Sequence, residues 1–321
     1  MSIKLAAGDL TIHRIIEQET TFLPALEMLP GLTPELLAEN RPWMRQIGAI
    51  DENDVLILCF QSYVVKTPHH TILVDSCIGN DKPRPAHPKL DMKWNMKTDG
   101  IYMRALAAAG FSVDDIDYVM CTHLHVDHVG WNTRLENGRW VPTFPNARYI
   151  FAKNEFDFWT ELHAKAPIAT FSDSVLPVIE ARRAEIVRND FAIGDHARIF
   201  PTPGHTPGHV AFAFGRGRDT AVVSGDLMHS PLQARYPELS MTFDVDQAQA
   251  ADAAQFPRAL LRHRYAVLHR AFPLALDREN PPLGRWVFLR GGCGELAAKR
   301  RRLSRTNSAC DSQPRPRSPA S

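Results

Sequence analysis

The chain has 321 residues, 44% of them hydrophobic, and a formal charge of +1. That is enough for one large core or a core with a lid, and it leaves no global field to draw nucleic acid or acidic partners. No run of 18 apolar residues marks a membrane span, Met1–Leu10 lacks a basic start followed by an apolar stretch, and five cysteines show no C-x-x-C spacing, so membrane, secreted and cysteine-zinc classes are set aside. A cytoplasmic location follows, with Cys59, Cys77 and Cys121 read as small buried hydrophobes.

In chain order, Lys4–Ile16 alternates loosely and reads as an edge strand. Residues 1–50 form an N-terminal extension, and its Phe22–Met44 segment is apolar enough for a lid or a homodimer contact. Thr33-Pro34-Glu35 is a helix start, an N-cap followed by proline at the first helical position. Val55–Lys66 and Thr71–Asp75, separated by Thr67-Pro68-His69-His70, predict a hairpin. Ser76–Asp99 is a long loop suited to a pocket wall. Ile101–Ala109 is a short helix closed by Gly110, and Asp117–Cys121 a strand. Arg148–Ala152 is a strand, followed by a helix from Asn154 to His163, with Asn154 as cap and Glu155 and Asp157 complementing its dipole. Ala197–Pro201, Val210–Phe214 and Thr220–Ser224 are short strands. Asp246–Arg264 reads as a helix, although Pro257 inside it would cost about 3 kcal/mol. Tyr265–Leu268 is the last strand. This order fits two sheets covered by helices, a four-layer α/β/β/α sandwich over residues 51–276. From Arg278 to Ser321 ten Lys+Arg face three Asp+Glu, so that stretch carries +7 and the rest −6. The tail, 277–321, is rich in Arg, Pro and Ser and is expected to be disordered.

The chemistry concentrates in Thr122-His123-Leu124-His125-Val126-Asp127-His128-Val129-Gly130. Three imidazoles and a carboxylate within six positions, directly after an apolar strand, have the ligand density of a metal site. Downstream, Pro201-Thr202-Pro203-Gly204-His205-Thr206-Pro207-Gly208-His209 sets His205 on a tight turn as a further ligand, with His209 in a supporting role. The strand ending in Gly225-Asp226 places a carboxylate where it can bridge two cations.

These residues, His123-x-His125-x-Asp127-His128, then His205, then Asp226, resemble the metallo-β-lactamase superfamily over about Leu56–Asp226. Within it, the pattern is most similar to lactonases that open N-acyl homoserine lactones and to methyl-parathion-type organophosphate hydrolases. The resemblance implies that His123, His125 and His205 hold one metal. Asp127, His128 and a final histidine hold the other, with Asp226 between them and Asp75 as a supporting carboxylate. Those lactonases often carry a tyrosine three positions after the bridging aspartate. His229 stands there, and its imidazole can donate a hydrogen bond. The family's final histidine commonly lies in an Ala-His-Phe-Pro-like phrase. Here Val267-Leu268-His269-Arg270-Ala271-Phe272-Pro273 offers His269 instead. Removing one base after the Leu268 codon can restore Leu-Thr-Ala-His-Phe, so the sequence from about His269 onward reads as an off-frame translation.

The expected cofactors are two divalent metal ions, taken as zinc, sharing Asp226 and a hydroxide. The expected activity is opening of a lactone or cleavage of a neutral ester or phosphotriester, with Asp127 shuttling a proton and His229 donating to the substrate. Trp94, Met96, Phe144 and above all Trp131 are the candidate pocket walls. A small-molecule substrate follows, with neither nucleic acid nor membrane as partner. The alternatives are a glutathione thioester (glyoxalase II-like) or β-lactam substrate, or an inactive, metal-poor protein owing to its altered C-terminus.

Overall fold

The computed structural model describes residues 4–84, 93–216, 221–255 and the strand at 266–268. In chain order the elements are β1 (Lys4–Ala7), β2 (Leu10–Pro24), α1 (Ala25–Met28), α2 (Pro34–Gln46), β3 (Val55–Lys66), β4 (Thr71–Val74), α3 (Ile101–Ala108) and β5 (Tyr118–Met120). Next come β6 (Thr133–Glu136), β7 (Arg139–Pro142), β8 (Arg148–Ala152), α4 (Lys153–Lys165), α5 (Ala169–Ser174), α6 (Leu176–Glu180) and β9 (Ala184–Val187). The chain continues through β10 (Ala192–Ile193), β11 (Ala197–Pro201), β12 (Val210–Phe214), β13 (Ala221–Val223), α7 (Pro231–Arg235), α8 (Gln247–Ala253) and β14 (Ala266–Leu268).

The strands form two main sheets, ordered β1-β2-β3-β4-β5-β8-β9 and β10-β11-β12-β13-β14, with β6-β7 as a separate hairpin. Alternation along the strands explains why there are four layers. Ile72 and Val74 face a core shared with Phe212, Phe214 and Val223 between the sheets, while Leu73 faces the opposite side with Tyr102 and Leu106 of α3. Likewise Ala211, Ala213 and Val222 turn to an outer core with Leu37 and Met44 of α2 and Leu232 of α7. The three apolar clusters fill the three gaps of the expected α/β/β/α sandwich. Burying one such side chain is worth about 1.5–3 kcal/mol, so a one-residue slip, which would exchange the two faces, is strongly disfavoured.

Helix α2 begins as its sequence predicts: the Thr33 side chain accepts from Leu36 N, and Pro34 occupies the first turn. The β3–β4 hairpin is antiparallel in register Val64↔Leu73, with Thr67 Oγ1 accepting from the amides of His69 and His70 in its turn. After α3, Gly110 takes φ +90 in the C-terminal turn.

Several expectations are corrected. Lys4–Ile16 is not one edge strand: Gly8 (φ 60) turns β1 back on β2, and only β1 lies at the edge. The stretch before residue 51 is built into the main sheet, because β2 pairs with β3 from Thr11↔Lys66 to Pro24↔Val55. Helix α4 starts at Lys153 straight out of β8, and its N-cap, Ala152, makes no side-chain bond, so Asn154 is not a cap. Of the helix expected over 246–264, the described residues form α8, Gln247–Ala253, capped by Asp246 accepting from Gln249 N, and residues 256–265 lie outside the described residues. The hairpin β6–β7 is additional. Its Asn137-Gly138 turn, with φ 50 and 77, is a type I′ signal present in the sequence. Pro257, His269, Cys293, Cys310 and the 277–321 tail lie outside the described residues. Among the described residues no helix is long and apolar enough to cross a membrane.

Candidate metal centre

The centre forms where strands of both sheets end. β4 leads to Asp75, β5 to the 122–130 loop, and β13 to Asp226, while His205 sits on the turn between β11 and β12. Crevices at the carboxyl ends of strands are where side chains from separate loops converge without breaking the ladder. His125 Nδ1 lies 2.9 Å from both His123 Nε2 and His205 Nε2. Asp226 stands between this trio and His128: its Oδ1 is 3.1 Å from His128 Nε2, and its Oδ2 is 3.6 Å from His205 Nε2. Asp127 Oδ2 is 3.7 Å from His128 Nε2. The sets His123–His125–His205 and His123–His128–Asp226 each bring their ligand atoms within 4.8 Å of one another and could each hold a cation.

The donor set fits divalent ions chemically. Burial, reinforced by the neighbouring imidazoles, holds the pKa of His123 and His125 well below 6.5, so both rings are neutral at neutral pH. A proton on His125 Nδ1 could serve only one of its two nitrogen neighbours, whereas a cation would satisfy three lone pairs together. His205 differs. Burial pulls it down, but the Asp244 hydrogen bond and the charges of Asp226, Asp244 and Asp127 outweigh burial and raise its pKa.

Three of the candidate ligands, His128, His205 and Asp226, are oriented from behind. Asp75 Oδ2 meets His128 Nδ1 at 2.9 Å, and Asp75 Oδ1 accepts from Thr122 N at 2.8 Å, so Asp75 stands behind His128. Asp244 Oδ1 meets His205 Nδ1 at 2.8 Å. His209 holds the Asp226 segment in place: burial lowers its pKa to about 3, and its Nε2 accepts from Asp226 N at 3.1 Å. Carboxylate or carbonyl partners on the far ring nitrogen are the usual means of fixing a ligating imidazole.

Two supporting residues escaped the sequence reading. Asp244 follows no motif. Glu155, read as a dipole-facing residue of α4, is 1% exposed and accepts from Leu124 N, Trp159 Nε1, Thr206 Oγ1 and Gly208 N. It therefore ties both ligand loops to one helix.

Gly204 supplies the tight turn beside His205 in the way the sequence suggests. It has φ +138, and a Cβ there would run into the backbone of Ala250 in the middle of α8. Gly204→Ala should therefore lower unfolding stability by about 2 kcal/mol or more, from backbone strain and overpacking together. Chemical denaturation of parent and variant checks this, and an unchanged midpoint would refute it.

A cleft of about 220 Å³ opens onto His125, Asp127, His205, Asp226 and His229, and its far wall is Phe22, Leu58, Phe60, Trp94, Met241 and Phe243. His229 is 4% exposed and its Nε2 lies 3.1 Å from Asp226 Oδ2. Of the four candidate walls, only Trp94 lies in the cleft. Trp131 is turned into the core by the Gly130–Asn132 turn, stacks on Tyr102 at 5.4 Å and donates to Glu17 Oε1. Phe144 is fully buried under the first sheet, and Met96 is 53% exposed away from the cleft.

Residues 61–269 match the family model described as the Metallo-beta-lactamase superfamily. An N-acyl homoserine lactonase of Bacillus thuringiensis is 28% identical over 168 residues, 50% of this chain and 60% of that protein. A hydroxyacylglutathione hydrolase of a Synechococcus species is 29% identical over 166 residues, 50% of this chain and 55% of that protein. The match thus spans about 60% of the length of the Bacillus thuringiensis lactonases. Among solved structures, the hydrolase AbOPH in the beta lactamase superfamily superposes with TM-score 0.71 at 20% identity, covering 91% of this chain and 98% of that one. AidC, a dizinc quorum-quenching lactonase, gives TM-score 0.68 at 19% identity with the same coverage. At such identities the structural likeness speaks for the fold.

Proposed function

The chain belongs to the metallo-beta-lactamase superfamily, and from that premise we propose a dinuclear metal-dependent hydrolase that opens a lactone or cleaves a neutral ester or phosphotriester. One observation carries the substrate class: the cleft beside the His/Asp cluster is walled by apolar and aromatic side chains, and its described lining residues include no lysine or arginine. Such a wall suits an uncharged group and offers nothing to a carboxylate or phosphate.

His123, His125 and His205 would hold one cation and Asp127 and His128 the other, with Asp226 reaching both. His269, the candidate to complete the second set, lies outside the described residues. When bound, two divalent ions supply water activated at neutral pH and Lewis acidity toward a carbonyl or phosphoryl oxygen. The remaining work falls to side chains. Asp127 lines the cleft, with its carboxylate 15% exposed, where it can take and return a proton. His229, on the cleft wall beside Asp226, donates a hydrogen bond to the substrate oxygen. The apolar wall excludes water and seats the neutral group.

Elemental analysis of the full chain, followed by assays on an N-acyl lactone, an aryl ester, a phosphotriester, a glutathione thioester and a β-lactam, tests this. Two metals per chain and turnover of a neutral lactone or ester are expected. Preference for the thioester or the β-lactam would replace the substrate class. One metal or none without turnover would favour the metal-poor reading. That reading has one supporting observation: the family match ends at His269, where the frame is proposed to slip.

A further inference from the structure

Strand β2 carries an irregularity beside the cleft. Ile16 pairs with Gln61 and Gln18 with Phe60, so Glu17 is an extra residue, a bulge. Bulges re-aim side chains, and they are frequent next to active sites. Here consecutive residues both fasten the loop that follows β4. Glu17, 2% exposed, accepts from Ile78 N at 2.7 Å, Lys97 Nζ at 2.7 Å and Trp131 Nε1 at 2.8 Å. It thereby grips that loop near both ends. Gln18 Oε1 accepts from Trp94 Nε1 at 2.8 Å. Trp94 in turn meets Phe60, the register partner of Gln18, edge to face at 5.0 Å. Phe60 lies 6.4 Å from Phe22, and Phe22 lies 6.1 Å from Phe243, so one aromatic run lines the cleft from Trp94 across to Phe243.

We propose that Gln18 is a positioning residue for substrate selection: by fixing the Trp94 indole against Phe60, it sets the width of the cleft and hence the neutral group admitted. Glu17 holds the loop ends so that this one bond determines the indole's orientation. Neither the indole nor Gln18 is among the candidate ligands, so their effect is on fit rather than on the cations. This rests on the reading of the cleft as the substrate site.

The test compares Gln18→Leu, which removes the acceptor, with Gln18→Glu, which keeps one. The first readout needs no substrate. Exchange of the Trp94 indole N–H with solvent, assigned by its loss in Trp94→Phe, should quicken in Gln18→Leu and return toward the parent in Gln18→Glu. The second is kinetic. With one neutral hydrogen bond worth a factor of about 5–10, KM for the bulkiest neutral substrate should rise by that factor in Gln18→Leu. Its kcat should stay within about twofold, the pattern of lost ground-state binding, and metal content should match the parent. An unchanged indole exchange rate overturns the proposal, as does free exchange with unchanged KM. A parallel fall in kcat and metal content also overturns it, since Gln18 would then act through the cations. If the parent turns over no neutral substrate, the functional reading fails separately. The affinity of an uncharged naphthalene probe then replaces KM, and an equal affinity in parent and Gln18→Leu refutes the positioning role.

Discussion

His205→Ala should yield a folded chain that holds less divalent metal than its parent and hydrolyses no lactone or ester above background. His205 is the member of the first candidate set that faces Asp226: its Nε2 lies 2.9 Å from His125 Nδ1 and 3.6 Å from Asp226 Oδ2. Removing it opens the first set to two imidazoles and leaves Asp226 facing a gap. The size of the effect follows from the water. A divalent cation held there would make its water ionisable near neutral pH, a gain of many orders of magnitude in available hydroxide over bulk water. No side chain on the cleft wall can replace that factor. The structural cost is smaller, because Asp244 loses one partner, worth about 1–3 kcal/mol. Far-UV circular dichroism, metal analysis and turnover on one preparation separate the two effects. The companion experiment treats the parent with a chelator, which should abolish turnover, and restores it with a divalent cation. Full metal content and activity in His205→Ala would remove His205 from the site.

The contrast between His205 and Asp244 shows what the sequence could convey. His123, His125, Asp127 and His128 fall within six positions, and His205 and Asp226 each sit in a Gly-marked turn at a strand end, so local spacing exposes them. Side chains that hold the surroundings in place come from far along the chain: Asp244 is 39 residues from His205, and Glu17 is 114 from Trp131. No local pattern marks such a pair, and local logic misleads where it speaks. Glu155 does occupy a first helical turn, which is why it reads as a dipole-facing charge, yet the packing of α4 turns it inward. Trp131 adjoins the ligand loop in sequence, but a single turn at Gly130–Asn132 sends it to the core while Trp94, 29 residues before His123, reaches the cleft. The layers were easier to read, because β4, β8 and β12 are apolar on both faces, as strands between two covered surfaces must be.

The second large effect is expected at Glu155, which touches none of the candidate ligands directly. Its Oε1 accepts from Leu124 N at 2.9 Å and Trp159 Nε1 at 2.6 Å, and its Oε2 from Thr206 Oγ1 at 2.6 Å and Gly208 N at 3.2 Å. Leu124 lies between His123 and His125, and Thr206 follows His205. Trp159 also stands edge to face with His125 at 5.4 Å. One carboxylate thus sets the spacing of the two loops that form the first set. Burial raises the pKa of Glu155, and the bonds from Thr206, Leu124 and Trp159 offset that only in part. Four donors around two oxygens are what an ionised carboxylate can satisfy, and a neutral amide cannot. Glu155→Gln would turn an NH2 group against two of those donors and let the loops part. Supporting residues of this kind cost about 10–100-fold in metal affinity when lost, and that loss is the expected result in a chelator competition titration. Glu155→Ala, which leaves all four donors without their acceptor, should lose more, with a lowered melting temperature as well. The two variants separate positioning from folding: weaker metal binding in a Glu155→Gln protein that melts within a few degrees of the parent assigns the effect to loop spacing. Parent-like affinity in both variants would mean that the two loops are held by β5, β11 and β12 alone.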